Sequence, residues 1–287
     1  MNNSTIWHRL AAIDSRILYL ALLVMVAVPL LRPIGLPLVI LDEVRDTLAL
    51  IASFPEGSVV WLASEVAATN AAELRPMITA FARYLVMQNH RIIIGGFWTD
   101  GCNLARIWLD PIFEEMGAVY GVNYVNLGYR PSSTSVLDEC RKDIINAYSD
   151  RDIAGRKLSE MPVMAGVTKA SDIDYLVCMS PGTPGTSTYI SAWRATGEVD
   201  VIIDCPTSGM YTTAGNNYQA GITKGLVGGL NGSAQVEQLI GYPGKAIRGM
   251  DAQGTGHFAI LLYLIIGNIG YYQIRRMDRE AKEHAGG

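Results

Sequence analysis

Apolar positions along this chain fall into two long stretches, one towards each end, and a series of short runs between them. The first stretch extends from Ile17 to about Ile40, the second from His257 to Ile274. A helix crossing a bilayer needs about 20 mostly apolar residues, at about 1.5 Å each. The second stretch has no acid or strong base before Arg275, and Tyr271 and Tyr272 fall where an interfacial aromatic belt belongs. The first is apolar from Ile17 to Leu31 but carries Pro29, Pro33, Pro37 and Arg32. It reads as a helix that reaches the far interface near Pro29–Arg32, with Arg32 snorkelling to the headgroups and Ile34–Leu41 leading onward. No small-x-small cleavage pattern follows it, so it reads as an anchor and not as a cleaved signal.

From Gly57 onward, short apolar runs alternate with helical periodicity. Strands are predicted at Ser58–Ala63, Arg91–Gly95, Val122–Leu127, Asp174–Met179 and Val199–Asp204. The first helix opens at Asn70-Ala-Ala-Glu73, a capping-box pattern, and continues through Leu74, Met77, Phe81, Tyr84 and Leu85 at helical spacing. Further helices are predicted over Leu104–Met116, Ser135–Tyr148 and Ser187–Ala195. This alternation predicts an α/β fold: a mostly parallel, Rossmann-like three-layer sandwich flanked by N- and C-terminal transmembrane helices. The expected division is a tail over 1–16, a first span over 17–40, an α/β domain over 42–255, a second span over 257–274 and a basic tail over 275–287.

The flanking charges predict orientation. Arg9 and Arg16 precede the first stretch, and Arg275, Arg276, Arg279 and Lys282 follow the second. Basic residues stay on the cytoplasmic side, so both termini are expected inside the cell membrane and the central domain outside it. With 23 basic and 27 acidic residues the chain has no basic field to recruit nucleic acid. Cys102, Cys140, Cys178 and Cys205 show no metal-binding or redox spacing and read as buried free thiols. No metal or cofactor is expected.

Ligands of parallel α/β sheets sit at the carboxyl ends of the strands. Three loops lie there: Gly96–Cys102, Ser180–Ser187 and Cys205–Gly209. The candidate ligand-binding residues are Trp98, Asp100, Ser180, Gly182, Thr183, Gly185, Thr186 and Ser187. The Ser180–Ser187 loop is the candidate anion site, although Pro-Gly-Thr-Pro-Gly is also ordinary turn chemistry and lacks a Walker ending. Asp204 and Tyr124 are further candidates for a pocket at the sheet edge. A hydrolase is poorly supported: no Gly-x-Ser-x-Gly elbow is present, and of the four histidines only His90 lies in the domain. Lys157 and Lys169 are the lysines considered for a Ser/Lys dyad. The acidic pairs Glu114-Glu115 and Asp172/Asp174 read as solvated or capping positions. No catalytic residue is assigned.

Glycine is dense between Tyr218 and Gly241, and glycine is costly inside a helix. Gly225, Gly228 and Gly229 are candidates for a subunit contact; a ligand-gripping loop, or a helix packed against the sheet, are the alternatives. Gly267, Asn268 and Gly270 in the second span suit close helix packing. Met250–His257 reads as an ordered junction between domain and span.

Five phrases, Pro29-Leu-Leu-Arg-Pro-Ile-Gly-Leu-Pro37, Glu73-Leu-Arg-Pro76, Tyr124-Val-Asn-Leu-Gly-Tyr129, Gly225-Leu-Val-Gly-Gly-Leu-Asn-Gly-Ser-Ala234 and Met250-Asp-Ala-Gln253, together resemble an uncharacterised family of bacterial and archaeal membrane-anchored α/β proteins. Thr223-Lys224 stands where that family has Gly-Gln. The resemblance implies anchored architecture and no particular activity. The leading expectation is a non-catalytic scaffold subunit of an oligomeric membrane assembly, partnered by the bilayer and by other membrane subunits. The alternatives are a small-ligand-binding or sensory domain using the strand-end loops and, behind it, a membrane-anchored serine hydrolase.

Overall fold

The computed structural model describes residues 3–285. Among them, short apolar runs form a six-stranded sheet: β1 (Val59–Ser64), β2 (Arg91–Gly96), β3 (Tyr124–Tyr129), β4 (Tyr175–Ser180), β5 (Ile202–Pro206) and β6 (Gly225–Leu226). All ladder pairs are parallel and the spatial order is β3-β2-β1-β4-β5-β6. The chain builds outward from β1 to β3, then returns beside β1 and builds outward again. The reversal falls between β1 and β4, where Ala63 pairs with Cys178 and Ser64 with Met179. This is the strand order of doubly wound dinucleotide-binding sheets, whose ligands sit where the order reverses.

The helices are α1 (Asn3–Ala11), α2 (Ser15–Leu31), α3 (Asp42–Ala52), α4 (Ala71–Met87), α5 (Gly101–Glu115), α6 (Ser133–Cys140), α7 (Ile144–Ala147), α8 (Thr186–Tyr189), α9 (Tyr211–Gln219), α10 (Gly229–Leu239) and α11 (Lys245–Ala285). β1 and β4 are buried at every position because both faces of the sheet are covered. Val60 and Leu62 meet α3, α4, α5 and α10 on one face, through side chains such as Ile51, Phe81, Leu109 and Val236. Val59, Trp61 and Ala63 point the other way, towards α6, α7, α8 and the π-helical turn Ile190–Arg194. Each Val, Leu, Ile or Phe side chain among them contributes about 1.5–3 kcal/mol on burial.

The α/β unit comprises Leu38–Ile247. A second unit combines Met1–Pro37 with Arg248–Gly287. Lys245–Glu280 is long and apolar enough to cross a membrane, whereas α2 is a shorter apolar helix of 17 residues. Within the second unit the two lie side by side in opposite directions. Thr255 donates to the Met25 carbonyl at 2.8 Å, and Tyr263 to the Leu18 carbonyl at 3.2 Å.

Several expectations are corrected. The first apolar stretch stays helical only to Leu31, short of Ile40. Pro33 disfavours the helical region for the residue before it, and Arg32 is extended at φ −135°, ψ 106°. The segment behind it is held by a carboxylate: Asp251 accepts the amides of Ile34 at 2.7 Å and of Gly35 and Leu36 at 2.9 Å. The Met250–His257 segment is part of α11, which starts twelve residues before His257, at Lys245. The helix expected over Ser135–Tyr148 breaks at 141–143, and Asp143 caps a new turn through Asn146 N at 2.9 Å. Asn70 does not cap α4; it accepts the amide of Ala67, and Glu73 is used elsewhere. Helix α3 lies in a segment where no helix is predicted.

The glycine-rich segment supplies β6 and α10, and its glycines face the chain's own core. A Cβ on Gly225 would press on Thr47 and Ile203, one on Gly228 on Tyr211, and one on Gly232 on Val227. Gly229, at φ +62°, starts α10 beside Ser208. The helix packed against the sheet, one of the three readings, describes α10; Gly225 and Gly229 are buried inside the unit and Gly228 is half-buried. In α11, Gly270 lies against Trp7, Gly267 faces open space, and Asn268 donates to its own helix at Leu264 O, 2.8 Å away.

Candidate functional site

β4 and β5 end side by side, with Ser180 opposite Pro206 in the register. The chain leaves β4 through Pro-Gly-Thr-Pro-Gly and enters α8 at Thr186. It leaves β5 through Thr207-Ser208-Gly209 and enters α9 at Tyr211. The gap between these exits is a cleft of about 50 Å³ lined by Ser180, Thr183, Thr186, Asp204, Thr213 and Asn217, with Met210 at its edge. That volume seats a group of a few heavy atoms, such as an ammonium, an amide or a hydroxymethyl.

Asp204 is the charged group of this cleft. It lies inside β5, only 5% exposed, and its Oδ1 accepts the Thr186 hydroxyl at 2.6 Å. Burial pushes its carboxyl up to about 6, and the Thr186 hydrogen bond pulls the other way. An ionised carboxylate has about four acceptor positions, and Thr186 occupies one of them. The free capacity faces a cleft whose other polar groups are hydroxyls and an amide.

The floor beneath the loop is set by a second buried acid. Glu65 follows β1 at the point where the strand order reverses, and it is fully buried. Its Oε2 accepts the amides of Phe97 at 2.8 Å and Trp98 at 3.1 Å, and its Oε1 accepts the Tyr189 hydroxyl at 2.8 Å. Burial pushes Glu65 up to about 7 against the pull of these three donors. Trp98 in turn donates from Nε1 to the Pro184 carbonyl at 2.8 Å. One chain of contacts therefore ties β1, the turn after β2, the Ser180–Ser187 loop and α8.

Among the sequence candidates, Ser180, Gly182, Thr183, Thr186 and Ser187 line the Asp204 cleft together. Gly185 packs against Ser180 and the Gly182 carbonyl, where a Cβ has no room. Trp98 acts as a strut through Pro184, Asp100 precedes α5 without capping it through its side chain, and Tyr124 stacks on Phe113 at 4.0 Å in the core. Gly96 and Gly101 are required by the close approach of the Ser64 carbonyl. The loop offers an anion little: Ser180 Oγ is spent on Gly182, and a carboxylate shares the cleft.

Of the groups weighed for catalysis, five have partners within the fold. His90 is buried against the Tyr175 hydroxyl at 2.6 Å, and burial lowers its basicity. Glu115 pairs with Arg83, Lys157 with Glu160, Asp174 accepts the amide of Val59, and Asp172 those of Thr168 and Lys169. Among the described residues no group of His, Cys, Asp or Glu is arranged to hold a metal ion, and all four cysteines are buried and free.

Glu65 was not singled out from the sequence. Its signal is a lone acid one residue, Ser64, beyond the apolar run Val59–Ala63 and directly before Val66-Ala67-Ala68, where an unpaired charge is too costly to bury.

The chain matches no protein-family model, no curated protein and no solved structure.

Proposed function

We propose that the α/β unit is a membrane-tethered binding domain for a small polar molecule that presents amine or hydroxyl donors to Asp204. The observation that carries this is a buried carboxylate with one protein donor, opening onto a small cleft at the carboxyl ends of two parallel strands. A ligand amine completes its hydrogen bonding and holds it ionised; Thr183, Thr213 and Asn217 supply orientation. The Glu65–Trp98–Pro184 contacts hold the loop in the shape that forms the cleft.

The test is a thermal-shift panel on the full detergent-extracted chain at pH 7.5, with short amines, amino acids and polyols. At least one class is expected to raise the unfolding midpoint in the wild type and not in Asp204→Asn. A panel with no response, or equal responses in both proteins, rejects the reading.

The flanking charges support an orientation with both termini cytoplasmic and the α/β unit outside. Because the native cysteines are buried, a membrane-impermeant maleimide reports a single new site at the exposed Lys142. Lys142→Cys is expected to label in intact cells, and labelling only after lysis reverses the topology.

A scaffold role in an oligomeric assembly is the second reading, supported by one observation. Gly267 on the exposed apolar part of α11 leaves open space for a close neighbour, next to the exposed Asn268. Gly267→Leu is expected to reduce cross-linked dimers in membranes if α11 packs against a second copy; an unchanged pattern removes this reading.

A further inference from the structure

Helices α4 and α5 border a larger cavity of about 290 Å³, away from the Asp204 cleft. Arg75, Thr79 and Arg83 stand at i, i+4 and i+8 on α4 and so share one face. Ile107, Pro111 and Ile112 of α5 make an apolar wall, with Ile107 62% exposed. Tyr242 and Lys245 close the third side.

The charges here are unequally spent. Arg83 is held in a two-point ion pair with Glu115, at 3.0 and 2.6 Å, and its guanidinium lies 5.0 Å from the centre of the Tyr242 ring. Glu237 also borders the cavity, but its oxygens accept the amides of Gly244, Ala246 and Ile247 at 2.9–3.1 Å. It is a fixed cap for the start of α11. Arg75 and Lys245 have no carboxylate partner at ion-pair distance among the described residues. Arg75 lies 5.7 Å from the centre of the Trp108 ring, which leaves its N–H edge free to donate.

Two cations without an ion-pair contact, beside an apolar wall on which Ile107 and Pro111 are exposed, match a molecule with an anionic head and a hydrocarbon body. We infer that this groove binds a phosphate-bearing amphiphile, with the phosphate between Arg75 and Lys245 and the apolar part along Ile107 and Ile112. Arg75 offers the forked donors that phosphate oxygens accept in pairs, and Lys245 adds a point charge. The phosphate chemistry is shared by a lipid headgroup and by a free phosphate, and the experiment separates them.

Calorimetric titration of the full chain in maltoside detergent uses two probes, dodecyl phosphate and inorganic phosphate. Dodecyl phosphate is expected to bind saturably, at least tenfold more tightly than inorganic phosphate, and to lose at least tenfold in Arg75→Gln/Lys245→Gln. The control Arg45→Gln/Lys224→Gln removes the same charge from exposed positions elsewhere and is expected to bind normally. An unchanged unfolding midpoint shows that both variants fold, and Arg75→Lys is expected to recover part of the affinity. Equal affinity for both probes, even if lost only in the groove variant, gives the apolar wall no role and overturns the amphiphile in favour of a free phosphate. No saturable binding of either probe, or equal weakening in the control, overturns the inference.

Discussion

The Thr186 hydroxyl donates to the Asp204 carboxylate across 2.6 Å, joining the first turn of α8 to the interior of β5. This hydrogen bond fixes the near wall of the cleft and leaves the rest of the carboxylate open to a ligand. Thr186→Val keeps the shape, removes the donor and leaves Asp204 less stabilised as an anion. It is expected to raise the Asp204 titration midpoint and weaken binding of any cationic ligand several-fold at pH 6. Binding curves between pH 5 and 8 check this; a curve that superimposes on the wild type contradicts it.

Glu65 and Asp204 give stability a pH dependence of definite sign. Both are raised on folding, from 4.5 to about 7 and from 3.8 to about 6, by burial. Between these limits the native state binds more protons than the unfolded state, so stability falls as pH rises and levels off above pH 7. Each group accounts for on the order of 3 kcal/mol across its window. The depressed acids Asp150, Asp152, Asp172 and Glu115 act in the opposite sense below about pH 4.5, and His90, whose basicity burial lowers, does so below about pH 6.5, where it offsets part of the effect of the two raised carboxyls. The unfolding midpoint of the extracted chain is expected to be higher at pH 5 than at pH 8, with a smaller difference in Asp204→Asn. A midpoint that rises with pH across this interval goes against both assignments.

Replacing Glu65 separates charge from hydrogen bonding. Gln keeps an oxygen for the Phe97 and Trp98 amides and an N–H₂ for the Tyr189 oxygen, so Glu65→Gln is expected to fold and to lose part of the pH dependence. Glu65→Leu strands two buried amides and a hydroxyl and is expected to cost about 3 kcal/mol or more. Chemical denaturation of the two variants distinguishes them; equal stability means that the three contacts contribute nothing.

Asp251 makes the equivalent contribution in the other unit. Asp251→Ala removes the acceptor for Ile34, Gly35 and Leu36, whose amides are expected to exchange with deuterium at least tenfold faster. Unchanged protection at these three positions contradicts the assignment.

The glycines of the 218–241 segment discriminate internal packing from subunit contact. Gly228→Ala forces a methyl against Tyr211 and is expected to destabilise the chain by about 1–3 kcal/mol without altering its size in detergent. A change of particle size at unchanged stability favours a subunit contact.

The sheet was legible because its strands are short Val/Ile runs that a two-sided core demands, as in Val59–Ala63 and Ile92–Ile94. The strand order was not, since periodicity carries no pairing information. Boundaries drifted by one to three residues at strand ends, as at Cys205–Pro206, which extend β5 beyond the apolar run. The short β6 has two residues and no apolar run to announce it. Helix α3 was missed because its first turn, Asp42-Glu43, follows a proline-broken stretch that reads as irregular. At the candidate site, the Pro-Gly-rich loop lines the cleft, but the buried acids there and beneath it are Asp204 and Glu65. Each is a single acid in or beside an apolar run, and only the fold shows which donors reach it.

Ligand seating on Asp204 is tested most directly by a binding isotherm for the strongest panel compound at pH 7.5. It is measured in the wild type, in Asp204→Asn and in Arg75→Gln/Lys245→Gln. The predicted result is at least a tenfold loss in Asp204→Asn and none in the groove variant. Equal affinity in the wild type and Asp204→Asn contradicts a binding site built on Asp204.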